Sequence, residues 1–320
     1  QALWRGFALR KVYGSVSFDL FDGFMPRPES DEVYRGLCSE PVSKTDDFVQ
    51  VAGHGGLTKR EDGSIMKQVP LCELEAYEAV QGTKVGDFFP RLIGSEVATG
   101  GLLATIFISD LAADMLEPCI MDIKIGTRTF LESEVRNEKR RPDLAAKLSR
   151  IDASLLEPQE RKEGITKLKY MQSRERLSSS AAFGWRPEGI VINAGIFNHD
   201  CKVLRTRPEL EEALAFFVQE RTDLLAGYAT QLCEIRESLE QSDWFAEHEI
   251  VGSSILFVYD AGRDEPKPVS KMIDFAKTHA TGGRRLSHRV EWSLGNQEDG
   301  YLTGLDNLIE TFQDMVNERS

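Results

Sequence analysis

No run of about 18 apolar residues occurs anywhere in the 320-residue chain, which excludes a helical membrane span. Cysteine is scarce. The five residues, Cys38, Cys72, Cys119, Cys201 and Cys233, are odd in number and show neither a CxxC pair nor metal-ligand spacing. That excludes a disulfide framework and a zinc finger, and it fits a reducing, cytoplasmic setting. No initiator Met and no signal-peptide pattern open the chain, so no secretory leader is expected. A GxGxxG loop, a P-loop GK[ST] and an HRD triplet are all missing, which disfavours a protein kinase and a P-loop NTPase. Internal repeats and low-complexity tracts are absent as well. A net charge of −13 argues against nucleic acid as the main partner.

What is present describes a folded protein. Apolar residues make up 41% and aromatics 9%, ordinary for a globular chain. The length suits one large domain or two lobes. Charge is unevenly spread. Residues 124–207 hold 18 Lys and Arg against 11 Asp and Glu, while the remainder holds 21 against 41. A basic island in an acidic protein is what a polyanion site needs. It is also what a set of solvated helix faces would give.

Residues 1–46 read as an extension before the domain, with Pro26 and Pro28 breaking any regular pattern. Within it, 4–13 (WRGFALRKVY) is short, basic and aromatic. It suits a piece of a calmodulin-target helix, and equally a terminal helix or strand packed on the body. Residues 48–52, 65–69 and 105–109 read as strands and 72–81 as a helix. Helical character dominates 132–150 and 158–176, with Pro142 interrupting the first block. Residues 208–241 read as one long or two shorter helices, 250–259 and 270–275 as strands, and 302–316 as an amphipathic helix. Sheet with helix, then a helical insertion, then mixed structure suits two lobes around a cleft.

Three segments carry chemistry. In PCIMDIKIG (118–126), alternation puts Asp122 and Lys124 on one face of an extended segment. Such a carboxylate can orient or deprotonate a hydroxyl while the ammonium neutralises a moving phosphoryl group. Alone, the pair also fits a surface ion pair. In MIDFAKT (272–278), Asp274 follows a β-type run and suits Mg²⁺, which prefers one or two carboxylates plus phosphate oxygens. It also suits a turn. Lys67 is a lone lysine in an apolar strand, able to reach nucleotide phosphates. The glycines of 53–56 read as a turn and His54 as structural.

The order of these segments, and their detail, resembles the inositol polyphosphate kinase family. Residues 118–126 fit its PxxxDxKxG signature, 253–257 (SSILF) its SSLL element, 273–275 its IDF element and 51–54 (VAGH) its AGH element. All four stand in the family's order and span about 47–318. Within the family the chain is most similar to the inositol trisphosphate 3-kinases. Residues 167–175 (KLKYMQSRE) resemble their KPRYMQWRE helix, 178–189 their SSS and GFRxEG stretch, and 295–308 their GNREDGYLxGLDNL ending.

The resemblance implies an α+β, two-lobed kinase-like fold. The expected parts are a small lobe at 47–110 and a larger one at 111–320, with a helical substrate-binding insertion at about 131–190. It implies that ATP and Mg²⁺ bind in the cleft. Lys67 would hold nucleotide phosphates, and the segment of Ser109, Asp110 and Leu111 would meet adenine. Asp122 would contact the attacking hydroxyl, and Lys124 that hydroxyl or the transferred phosphoryl. Asp274, with Ser254 or Ser253, would hold Mg²⁺. Lys167, Tyr170, Arg174 and nearby Lys277 would face the phosphates of an inositol polyphosphate. The first three fall at i, i+3 and i+7 on one helix face.

The chain departs from that pattern at Leu168, Lys169 and Ser173, and at Val191, where the 3-kinases carry a lysine. The expected reaction is transfer of the γ-phosphoryl of ATP to the 3-hydroxyl of inositol 1,4,5-trisphosphate. The alternatives are a multikinase of broader acceptor range and a weakly catalytic inositol-phosphate-binding protein.

Overall fold

A four-stranded antiparallel sheet collects Leu57–Lys59 (β1), Ser64–Pro70 (β2), Leu92–Val97 (β3) and Leu103–Ser109 (β4), in the order β1-β2-β4-β3. Alternation in β4 buries Ala104, Ile106 and Ile108 and leaves Thr105, Phe107 and Ser109 half-covered. Helix α1 (Leu71–Val80) packs Leu74, Tyr77 and Val80 into the same core. The computed structural model describes residues 57–98, 100–192, 195–197 and 201–319. The extension at 1–46, the basic segment 4–13, the strand expected at 48–52 and the element at 51–54 lie outside the described residues.

A second, five-stranded antiparallel sheet is centred on Pro118–Ile125 (β5). The helices that follow are α2 (Glu132–Val135), α3 (Pro142–Asp152), α4 (Pro158–Glu163), α5 (Lys167–Leu177) and α6 (Ser180–Phe183). Pro142 opens α3 at a position where its missing N–H is not needed. The block expected at 158–176 is two helices. Gly164 breaks it at φ +91, where a Cβ would lie 2.4 Å from the Arg141 carbonyl carbon. Residues Arg141 and Ile165 pair across that break. These helices carry a small core of their own: Leu144, Ala145, Leu148, Leu156 and Ile165.

The helical run ends at Phe183, earlier than expected. Trp185–Ile192 (β6) is a strand of the second sheet, followed by Gly195–Phe197 (β7). Helices α7 (Arg207–Phe217) and α8 (Thr222–Glu240) cover one face, and the short α9 (Asp243–Ala246) follows. The run read as one strand at 250–259 is His248–Ile250 (β8) and Ser254–Asp260 (β9), parted by Gly252 at φ +74. Val269–Ile273 (β10), Thr278–Ala280 (β11) and Tyr301–Arg319 (α10) complete the order.

The second sheet runs β10-β9-β5-β6-β7, and β8 pairs with β11 separately. On β5, Cys119, Met121, Ile123 and Ile125 have no exposed surface and join the main core with Leu214, Leu225, Tyr228 and Phe312. Each such side chain contributes about 1.5–3 kcal/mol by leaving water. The opposite face carries Ile120, Asp122 and Lys124. The core therefore turns one face of β5 inward and leaves the other for chemistry.

Buried polar contacts fix the remaining loops. Arg128, fully covered, pairs with Glu249 at 2.7 Å and donates to the carbonyls of Phe130, Gln297 and Glu298. Asp299 accepts from Ile250 N, Tyr301 N and His288 Nδ1 at 2.8–2.9 Å. The stretch at 295–302 is thus a structural clasp.

Candidate active site

The two sheets enclose a cavity of about 310 Å³. Ile65 and Ile108 line it from one side and Val258 and Leu256 from the other, giving it apolar walls. Lys67, Asp110, Leu111, Asp122 and Asp274 reach the same space. Such a slot, apolar with a few convergent polar groups, suits a flat heteroaromatic ligand with a charged tail.

Asp110 and Leu111 follow the end of β4. The Asp110 carboxylate is engaged locally, accepting from Ala112 N at 2.9 Å and pairing with Lys59 at 3.3 Å. What this segment offers the cavity is the Leu111 side chain and backbone.

Lys67, on β2, reaches across to the second sheet. Its ammonium donates to Glu73 at 2.7 Å and to Asp274 at 2.6 Å. Burial works against the charge on Lys67, but Asp274 and Glu73 overcome it and raise its pKa. Burial pushes Glu73 up, with Lys67 drawing it back. Asp274 feels the same burial, but Lys67 and then Lys124 hold it below the usual carboxylate range. Asp274 directly follows β10 at φ +65, in the left-handed region where Asp and Asn are tolerated best. Phe275 anchors it, stacking on Phe89 with ring centroids 4.1 Å apart and meeting Tyr77 edge-on.

Asp122 stands on the cleft face of β5. Burial pushes its carboxyl up to about 6, with Asp274 and Glu188 adding to the rise and Lys124 opposing it. Its Oδ1 is buried without a hydrogen-bond partner. Two residues on, Lys124 donates to the Gly252 carbonyl at 2.8 Å. The ladders set Lys124 opposite Ser254, and Ser254 opposite Ile273, next to Asp274. Both Ser253 and Ser254 are fully buried, Ser254 beside Asp122 and Ser253 beside Tyr301.

These oxygens test the fit for Mg²⁺. Among the described residues no group of three or more His, Cys, Asp or Glu side chains could hold a metal alone. One carboxylate, Asp274, stands near the Ser254 hydroxyl and the Asp122 carboxyl. An all-oxygen set with few carboxylates suits Mg²⁺, which takes the rest of its shell from phosphate and water.

A β-bulge brings in a further acid. Asp122 pairs with Gly189 and Ile123 with Pro187, leaving Glu188 as the extra residue on β6. Burial opposes its ionisation, but Arg186, Lys124 and Lys202 hold Glu188 down at about 2. Arg186 Nε donates to it at 2.7 Å. Val191 lies opposite Ile120 in the same ladder and so shares the cleft face of the sheet.

Of the residues expected at the acceptor, the structure brings Lys167 and Lys277 together, while Tyr170 packs on the small core of the helical block. Thr166 caps α5 by accepting from Lys169 N at 3.2 Å. Glu175 of this helix accepts from Thr129 N at 2.7 Å and Oγ1 at 2.6 Å, tying it to the chain just after β5. Lys167 and Lys277 meet at Glu134 of α2, while Tyr170 and Arg174 lie farther along α5, bonded to each other at 3.2 Å. Burial, then Lys167 and Lys124, pull the Lys277 ammonium below its usual pKa against the effect of Glu134. Lys124, Lys167 and Lys277 therefore share one electrostatic field.

The structure thus gathers Lys67, Asp274, Ser254, Asp122 and Lys124 at one place, and Lys167 with Lys277 beside it. Sequence reasoning missed Glu73, Glu134 and Glu188. Only Glu73 left a signal. It shares the spacing of Ala76, Tyr77 and Val80, the buried stripe of α1, where an unpaired glutamate would not be tolerated.

Among the described residues, no helix is long and apolar enough to cross a membrane. Residues 105–313 match the family described as inositol polyphosphate kinase. The chain is 39% identical over 278 residues to inositol-trisphosphate 3-kinase C of Mus musculus, covering 84% of this chain and 40% of that protein. It is 44% identical over 277 residues to the inositol-trisphosphate 3-kinase homolog of Caenorhabditis elegans, covering 84% of this chain and 55% of that protein. It spans between 29% and 59% of the length of the curated relatives it matches. A crystal structure of the inositol phosphate multikinase Ipk2 from S. cerevisiae, in complex with ADP and Mn²⁺, is similar at a TM-score of 0.50 and 16% identity. That likeness covers 78% of this chain and 98% of the other, and it shows the shared α+β fold.

Proposed function

The chain belongs to the inositol polyphosphate kinase family, and from that premise we propose that it is an ATP-dependent inositol 1,4,5-trisphosphate 3-kinase. The observation that carries the reading is the convergence of Lys67, Asp122 and Asp274 on one cavity, with Lys124 acting on both Asp274 and Lys277 beside it. One half suits a nucleotide triphosphate tail, the other a polyphosphate acceptor.

In this reading the acceptor's 3-hydroxyl oxygen bonds to the γ-phosphorus of ATP, the β–γ bridging P–O bond breaks, and ADP leaves with inositol 1,3,4,5-tetrakisphosphate. Asp122 orients the hydroxyl and takes its proton. Lys124 neutralises charge on the moving phosphoryl group, and Lys67 holds the nucleotide phosphates. The backbone at 109–111 meets adenine. Asp274 and Ser254 would hold Mg²⁺, which when bound supplies charge neutralisation at the phosphates. Lys167, Tyr170, Arg174 and Lys277 receive the acceptor's phosphates, the lysines as point charges and Arg174 as a fork.

The reading takes 47–110 as the small lobe and 111–320 as the large one. It sets the reaction in the cytoplasm, where thiols stay reduced. The acidic net charge supports no role for nucleic acid. The basic, aromatic segment 4–13 keeps calmodulin as a candidate partner.

The test is turnover with ATP, Mg²⁺ and a panel of inositol phosphates, with products separated by anion exchange. A single tetrakisphosphate from the 1,4,5-trisphosphate is expected. Turnover of several acceptors would make the chain a multikinase, and binding without turnover would make it an inositol-phosphate-binding protein.

A further inference from the structure

One carboxylate sits where cations alone would be expected. Glu134, on the four-residue helix α2, divides its two oxygens between Lys167 and Lys277. The Lys277 contact is 3.2 Å, and Lys277 also donates to the Thr129 carbonyl at 3.2 Å. Among the described residues, no other carboxylate forms an ion pair with either lysine. Glu134 Oε2 also accepts from Leu131 N at 3.0 Å, so the helix cap and the lysine clamp share an oxygen. The Glu134 side chain is 18% exposed, against 37% for Lys167 and 27% for Lys277, so water screens the cluster in part.

We propose that Glu134 is an internal competitor for the acceptor's phosphates. It occupies Lys167 and Lys277 in the empty site, and an incoming phosphate must take both from it. This inference rests on the reading of those lysines as acceptor ligands. Two ammonium groups facing one carboxylate leave a net positive charge, so the pocket still attracts anions. A phosphate monoester brings up to two negative charges and three acceptor oxygens, and it outbids a single carboxylate. An anion with one charge does not. Glu134 therefore sets a threshold. It keeps the lysines placed and paired in the resting protein, and it reserves them for a ligand charged strongly enough to displace it. The share of binding free energy used in that displacement is lost from the observed affinity.

The test is E134Q, which keeps the shape and an oxygen for Leu131 N but removes the charge. Isothermal titration of wild type and variant at low ionic strength uses inositol 1,4,5-trisphosphate and an inositol bisphosphate as probes. E134Q is expected to bind the trisphosphate about fivefold more tightly, the scale of one partly exposed ion pair. The bisphosphate should gain at least as much. In turnover, the acceptor KM falls while the KM for ATP holds. A loss of packing cannot produce tighter binding, so the direction separates competition from a structural role. E134S carries the same expectation if E134Q does not fold. An unchanged Kd would overturn the inference, and a weaker one would overturn it and make Glu134 a positioning group for the lysines. If the wild type itself binds neither probe, the reading of α5 as the acceptor helix falls, and this inference with it.

Discussion

Lys67 of β2 donates a 2.6 Å hydrogen bond to Asp274, which follows β10 and stands 207 positions later in the chain. The contact ties the two sheets together across the cavity. Each group favours the charged form of the other. Glu73 is the third member, buried on α1 and 2.7 Å from the same ammonium.

E73Q tests that arrangement. Burial raises the pKa of Glu73, so the fold disfavours its charge, and Lys67 keeps Asp274 as a partner when that charge is removed. The substitution leaves Lys67 drawn wholly to Asp274. The expected outcome is a denaturation midpoint in urea at pH 7.5 no lower than that of wild type and a rise of about tenfold in the KM for ATP. An unchanged ATP KM would show that Glu73 does not set the position of Lys67.

Asp122 makes a prediction about pH. Its pKa in the fold is about 6, against an ordinary value of 3.8. A raised pKa means that the fold disfavours the carboxylate. Stability is therefore greatest with the proton on, falls as pH rises from about 4 to about 6, and stays lowered above that. At pH 7.5 the ligand-free D122N protein should be more stable than wild type, by about 1–3 kcal/mol. Its kcat should fall by about two to four orders of magnitude. In wild type, kcat/KM should rise with pH through the ionisation of Asp122. A D122N protein less stable than wild type at pH 7.5 would contradict this account of the carboxyl.

The left-handed backbone at Asp274 separates folding from catalysis. D274N keeps a residue that accepts φ +65, while D274A places an ordinary side chain in strain of about 1–2 kcal/mol. Thermal melts should rank D274N above D274A. Both should lose about two or more orders of magnitude in kcat. K124A should lose a comparable factor, since Lys124 supplies positive charge to the same transferring group. Full turnover by D274N would remove Asp274 from the metal site.

Arg174 is expected to act on the acceptor alone. R174A removes a charged hydrogen-bond donor, a change of about 1.5–3 kcal/mol, so the acceptor KM should rise about tenfold to a hundredfold. The KM for ATP should barely move. Equal damage to both constants would place Arg174 elsewhere.

Much of this site was legible because its parts are local. The alternation that puts Asp122 and Lys124 on one face holds within a single strand, and the spacing of Lys167, Tyr170 and Arg174 within a single helix. What the sequence hid was pairing over distance. β5 meets β9 across more than a hundred residues, and no local pattern announces that partner. β6 falls at the end of the insertion that the resemblance implied, and Pro187 and Gly189, poor strand residues, give no local sign of a strand there. The bulge at Glu188 is what lets Pro187 sit inside a sheet, and it also delivers the glutamate to the cleft. Glu134 was invisible for another reason. In a helical, highly charged stretch, one glutamate among many carries no mark of the two lysines it will meet. Gly164 breaks a helix that the surrounding helix formers would continue, since its φ of +91 and its contact with Arg141 both demand glycine.

The central claim is the position of phosphoryl transfer, and the most direct measurement is the structure of the product. Inositol 1,4,5-trisphosphate is incubated with the protein, ATP and Mg²⁺, and the product is assigned by proton–phosphorus correlation NMR. The account predicts one tetrakisphosphate with the new phosphoester on carbon 3. A new phosphoester at another carbon, a mixture of positions, or no transfer at all would contradict it.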